Sequence, residues 1–162
     1  MKKIEPITKG LTGFLRSFKK IVEDIDEGKE IKKIVFTGNP YTCTPIIELL
    51  SYAIREMNKE LIFVPSLNIN DPYKMNLSDI HFDFVKGGNP LNPDLNVILG
   101  GLAMRGGPDV GNVNSFLEKI GNKEKKIVGV CFMSVIEKAG WCEVVPFDYL
   151  IDIQMDGSLY GR

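Results

Sequence analysis

The sequence predicts an α/β fold: a doubly wound, mostly parallel sheet in three layers, of the flavodoxin-like or Rossmann-like kind, with an N-terminal amphipathic helix. Three observations lead there. From residue 31 onward short apolar runs alternate with helix-period stretches, and strands joined by helices form parallel βαβ units. Central runs such as Ile127-Val128-Gly129-Val130-Cys131 are apolar throughout, as strands covered on both faces must be. The chain has 162 residues, which at about 150 per domain predicts one domain over 1–162, large enough to fold without disulfides or metals.

Residues 6–28 read as the first helix. Leu11, Phe14, Leu15, Phe18, Ile21, Val22 and Ile25 recur at spacings of three and four, with Pro6 near the start and Gly28 at the end. A stripe this wide demands cover, either from the body of its own domain or from a second copy of the chain. The first strand, 31–36, ends in Thr37-Gly38-Asn39-Pro40. The helix after it takes Thr44 as N-cap and Pro45 as its first residue, where a missing N–H does no harm. Residues 61–64 form the second strand, closed by Pro65. Residues 66–93 are rich in Asn and Pro and show only a candidate strand at 81–85. A strand at 97–99 runs into Gly100-Gly101, and a helix follows at 110–120 on Val110, Val113, Phe116, Leu117 and Ile120. After the strand at 127–131 comes a short helix to Ala139, where Ser134 and Glu137 fit a capping box. Residues 144–155 alternate around Asp148 and Asp152 as a final, half-exposed strand.

Composition excludes several functions. Twenty basic side chains face 21 acidic ones, a net charge of −1, so no global field draws the protein to nucleic acid or an anionic membrane. No apolar run reaches the roughly 18 residues of a membrane span, and the N-terminus lacks the apolar core of a signal peptide. Three scattered cysteines, Cys43, Cys131 and Cys142, suit a reducing cytoplasm. A zinc site would consume all three and the single His81, so no metal is expected. Chemistry that needs two histidines is excluded.

In such sheets the ligand crevice lies beyond the carboxyl ends of the strands. Three loops reach that edge: Gly38 to Thr44, Gly100 to Gly107, and Gly129 to Ser134. The first offers backbone N–H groups, the hydroxyls of Thr42 and Thr44 and a helix N-terminus, which suit an anion; alternatively, Thr44 simply caps the helix and Gly38 makes the turn. Arg105 is the cation expected near the crevice, whereas Lys32, Lys33, Lys123, Lys125 and Lys126 precede strands and belong to the opposite edge. The candidate ligand-binding residues are therefore Gly38, Asn39, Thr42, Cys43, Thr44, Gly100, Gly101, Arg105 and Phe132. The ligand class they suit is a small anion or a nucleotide-like molecule. No cofactor is identified.

Val97-Ile98-Leu99-Gly100-Gly101 followed by Ile127-Val128-Gly129-Val130-Cys131-Phe132 resembles the class I glutamine amidotransferase and DJ-1-like superfamily. The resemblance implies that Cys131 attacks a carbonyl and that the amides of Phe132 and Gly101 hold the developing negative charge. Read from the residues alone, Cys131 is a small buried apolar residue ending a central strand. The 31 residues after Cys131 contain no His to act as its base. His81 stands upstream, beside Phe82 and Phe84, where it reads as a hydrogen-bonded structural residue.

A second resemblance spans the whole chain. Thr42-Cys43-Thr44-Pro45 before Glu48-Leu49-Leu50, then Leu99 to Met104, then Gly129 to Met133 resemble an uncharacterised archaeal family, domain of unknown function 2124. It implies a cytoplasmic archaeal protein and carries no activity. The leading expectation is ligand binding at the carboxyl edge without self-contained catalysis. The alternatives are a Cys131-dependent hydrolase, or a structural or regulatory subunit that docks through its first helix, for example as a homo-oligomer.

Overall fold

A computed structural model describes residues 1–162. The elements in chain order are α1 (Gly10–Gly28), β1 (Lys33–Gly38), α2 (Thr44–Ala53), β2 (Glu60–Pro65), β3 (Tyr73–Leu77), β4 (Phe82–Lys86), β5 (Leu95–Leu99), α3 (Val110–Lys119), β6 (Lys126–Phe132), α4 (Val135–Lys138) and β7 (Tyr149–Ile153). The seven strands make one sheet in the order β4-β3-β2-β1-β5-β6-β7. Strands β2, β1, β5, β6 and β7 are parallel, and β3 and β4 add an antiparallel hairpin at the β2 edge. The parallel strands alone, counted along the chain, run 2-1-3-4-5, which is the flavodoxin-like order. The chain turns one way from β1 and resumes on its other side at β5, so the topological switch point lies between those two strands.

Each apolar strand feeds two cores because successive side chains point to opposite faces. On one face Ile34, Phe36, Leu61, Phe63, Val97 and Val128 meet α2 through Ile47 and Leu50, and α1 through Phe14, Phe18, Val22 and Ile25. On the other, Val35, Ile62, Val64 and Ile98 meet Val113, Phe116 and Leu117 of α3 and Ile136 of α4. The α1 stripe is thus covered by its own sheet, with Phe14 edge-on to Phe132 at 5.8 Å and Phe18 at 6.4 Å from Phe36. No helix is long and apolar enough to cross a membrane.

Several boundaries depart from the sequence reading for local reasons. Helix α1 starts at Gly10, not at residue 6, because Lys9 (φ 67°) and Gly10 (φ 54°) take left-handed backbone that interrupts the helix. Thr44 is not the N-cap of α2. Cys43 holds that position without a side-chain cap, and Pro45 follows inside the first turn. The capping box at Ser134 does not form either: Ser134 is left-handed (φ 59°, ψ 30°) and its hydroxyl bonds Asp152 instead. Strand β3 is an addition, since Tyr73–Leu77 buries only Met75 and leaves little apolar pattern to read. The last strand is confined to 149–153, with a 3-10 turn at Trp141–Glu143 before it.

Candidate functional site

At the switch point, β1 ends on Gly38 and β5 runs into Gly100 and Gly101. Cys43 fills the space between them. A Cβ on Gly38 would fall 2.6 Å from the Cys43 Cβ, and one on Gly101 would fall 2.5 Å from its Sγ. Both positions therefore require glycine. Asn39 Nδ2 donates to the Gly101 carbonyl at 2.6 Å and ties the two loops together. The Cys43 sulfur accepts the backbone N–H groups of Asn39 and Gly101, but burial dominates and pushes its thiol up. The floor of the crevice is thus a sulfur in a two-amide cradle.

Above this floor the edge is open. Tyr41 is 92% exposed, Thr42 is exposed and Thr44 is half-buried. Arg105 is exposed on the loop after β5 and takes part in none of the nine ion pairs. The backbone here is unusual. Apart from Gly and Asn, left-handed residues occur at Lys9, Tyr41, Ser66, Leu67, Met133 and Ser134. Five of these six follow the carboxyl ends of β1, β2 and β6, and such conformations cost on the order of 1–3 kcal/mol each. The left-handed Asn58, Asn92 and Asn122 all precede strands at the opposite edge, where asparagine adopts this backbone readily.

Cys131 is 1% exposed at the end of β6. Burial, foremost, pushes its thiol up to about 12; the Ile136 N–H draws it down, and the Asp152 carboxylate adds to the rise. Its Sγ lies 3.4 Å from Asp152 Oδ1. Asp152 also accepts from Ser134 N at 2.9 Å, Ser134 Oγ at 2.7 Å and Gln154 Nε2 at 2.8 Å. This hub holds the left-handed turn after β6. The Gly101 amide that would serve an oxyanion points at Cys43, whereas Gly100 is the glycine against Cys131, where a Cβ would fall 2.5 Å from the Cys131 Cβ. Phe132 ends the β6 ladder opposite Ile153, its ring turned to Phe14.

His81 and Asp148 have structural partners of their own. His81 sits in the β3–β4 turn at the other edge, with Nε2 2.8 Å from Asp83 and Nδ1 3.3 Å from Ser78 Oγ, so it is not a partner for Cys131. Asp148 does not share a site with Asp152: it accepts from Lys126 Nζ and from the Ile127 N–H, both at 2.8 Å, where β6 begins. No group of three or more His, Cys, Asp or Glu side chains is arranged to hold a metal.

Two grooves accompany these edges. One, about 470 Å³, lies at the amino ends of the strands; apart from Asp24 its charged side chains are paired within the protein, Lys29 with Glu124 at 2.7 Å, Lys126 with Asp148 at 2.8 Å and Asp94 with the N–H groups of Lys32 and Lys33. The other, about 450 Å³, runs between the loop after β2 (residues 66–70) and α3, and includes Asn68, Asn112, Ser115 and Lys119. Sequence reasoning missed it, because its two walls lie some forty residues apart in the chain and carry no shared motif. The only local signal is that Asn112, Ser115 and Lys119 fall on one face of α3.

Comparison with known proteins agrees with this architecture. An uncharacterized protein of Methanocaldococcus jannaschii is 38% identical over 154 residues, covering 94% of this chain and 91% of that protein. An uncharacterized protein of Methanothermobacter thermautotrophicus is 32% identical over 148 residues, covering 88% and 95% respectively. The crystal structure of a protein of unknown function from Methanothermobacter thermautotrophicus superposes with a TM-score of 0.87 at 30% identity, over 100% of this chain and 99% of that one. The glutamine amidotransferase resemblance has no counterpart among these relatives. The family model for uncharacterized proteins conserved in archaea, domain of unknown function 2124, matches residues 9–156, and the chain belongs to that family.

Proposed function

We propose that the protein binds a small anionic or nucleotide-like ligand at the carboxyl edge of its sheet and does so without cysteine catalysis. The observation that carries this reading is the concentration of left-handed, non-glycine backbone after β1, β2 and β6. Strained loops of this kind persist only where the surrounding structure over-determines them, and they gather at ligand clamps. Of these residues Ser66, Met133 and Ser134 donate their N–H groups within the protein, to Gly38 O, Ile153 O and Asp152 Oδ1, which leaves the amides of Tyr41 and Leu67 to meet an anion. Arg105, free of any carboxylate, adds the matching charge on the loop after β5. Cys131 stands outside the reading: a thiol pushed up to about 12 stays protonated at neutral pH. The three free cysteines suit a reducing cytoplasm.

The test is a titration of the isotope-labelled protein with phosphate, pyrophosphate and nucleotides, followed through its backbone amide resonances. The reading expects saturable shifts in the loops after β1, β2, β5 and β6, and about tenfold weaker binding in Arg105→Ala if the anion sits over the switch point. Absence of saturable shifts with every anion at millimolar concentration would falsify it.

A further inference from the structure

We infer that the ligand is a mononucleotide seated in the groove between loop 66–70 and α3, with its phosphate against Lys119. This rests on the anion-binding reading above and adds to it the location and the chemical class. The groove holds about 450 Å³, within the roughly 300–1,000 Å³ of small-molecule sites. Its α3 wall is made by Asn112, Ser115, Phe116 and Lys119, which stand at positions i, i+3, i+4 and i+7 and so share one face of the helix. Val113 and Leu117, turned from that face, are buried in the core, and Phe116, 3% exposed, is buried beneath the exposed Asn112, Ser115 and Lys119. The opposite wall begins with the left-handed pair Ser66 and Leu67 (φ 49° and 65°), directly after β2.

The lining selects the ligand class by three features. It contains one cation, Lys119, and no carboxylate, and Lys119 belongs to none of the ion pairs that occupy other lysines. Lysine meets a phosphate as a point charge. The amide of Asn112 and the hydroxyl of Ser115 line the same groove and bring the paired donor and acceptor groups that read a base edge or a sugar hydroxyl. Half-buried Leu67 and Ile69 supply apolar surface for a flat ring. Bare phosphate would leave that apolar wall unused, and a triphosphate would bring more negative charge than a single lysine offsets. A ring, a sugar and one phosphate match all three features. The groove at the amino edge has both of its lysines paired with carboxylates and so offers no free cation.

The experiment is calorimetric and amide-resonance titration of the full chain with AMP, GMP, CMP and UMP, alongside the free nucleosides and inorganic phosphate. At least one mononucleotide should saturate, with shifts at residues 66–70 and 112–119 and an affinity at least tenfold above those of its nucleoside and of phosphate. Lys119→Ala and, independently, Asn112→Leu should each weaken it about tenfold while leaving the thermal midpoint within a few degrees, and Lys29→Ala, at the amino edge, should leave it unchanged. Shifts confined to residues 39–44 and 101–107, with sensitivity to Arg105→Ala, would overturn this inference and leave the anion-binding reading standing. Equal affinity for nucleoside and mononucleotide would remove the role of Lys119 and overturn it as well. No binding of any of these ligands would overturn both.

Discussion

Cys131 and Cys43 show how neighbours decide the chemistry of a residue. Each ends a run that leads to the ligand edge, and each accepts a backbone N–H, an arrangement that favours a thiolate. Burial outweighs those donors in both, and at Cys131 the Asp152 carboxylate adds to it. With its thiol at about 12, Cys131 is ionised to only about one part in ten thousand near pH 8. Treatment of the folded protein with iodoacetamide at that pH should therefore modify half-buried Cys142 first and spare Cys43 and Cys131. In denaturant all three should react at similar rates. Peptide mass spectrometry reads the order, and a folded-state rate fastest at Cys131 would restore the nucleophile.

At the scale of elements, Asp26 joins the end of α1 to the sheet. Its carboxylate accepts the Ile31 N–H at 2.6 Å and Lys59 Nζ at 2.8 Å, so one side chain ties α1, the entry to β1 and the entry to β2. Burial raises the Asp26 carboxyl, but Lys59 and the Ile31 N–H together outweigh it and hold it below the ordinary aspartate value. A carboxylate depressed in the folded state contributes stability above its unfolded value, near 3.9, and loses that contribution as pH falls through the folded one. Asp26→Asn should cost about 1.5–3 kcal/mol at neutral pH, and the gap from the parent protein should narrow at a pH below the ordinary aspartate value. Urea unfolding at both pH values measures this. A gap of equal size at each would mean that the charge contributes nothing.

For the whole molecule, α1 is part of the core and not an appendage. Phe14, Phe18 and Val22 are at most 1% exposed, and they cover one face of β1, β5 and β6. Phe18→Ala should cost about 3–5 kcal/mol, as large-to-small changes in close-packed cores do. Removal of residues 1–28 should abolish the cooperative thermal transition, because Ile34, Phe36 and Val128 would lose their cover. A truncated chain that still unfolds cooperatively at an unchanged midpoint would show instead that α1 is free to dock elsewhere.

Much of this architecture is legible in local pattern. Apolar runs such as Ile127 to Cys131 and the three-and-four spacing from Leu11 to Ile25 fix strand and helix, because period and burial are set by neighbours a few residues away. The loops at the carboxyl edge follow at once, since every parallel strand delivers its next residues there. Strand β3 is not legible, because an edge hairpin wet on one side needs little apolar pattern. Nor can the chain alone say that Gly101 serves Cys43 while Gly100 serves Cys131, that His81 lies at the far edge, or that Lys119 shares a groove with Ser66. Those pairings depend on strand order and on which face each helix covers, relations between segments that lie up to about sixty residues apart. Local periodicity carries no information about them; only the closing of the sheet, with β1 between β2 and β5, brings such groups together.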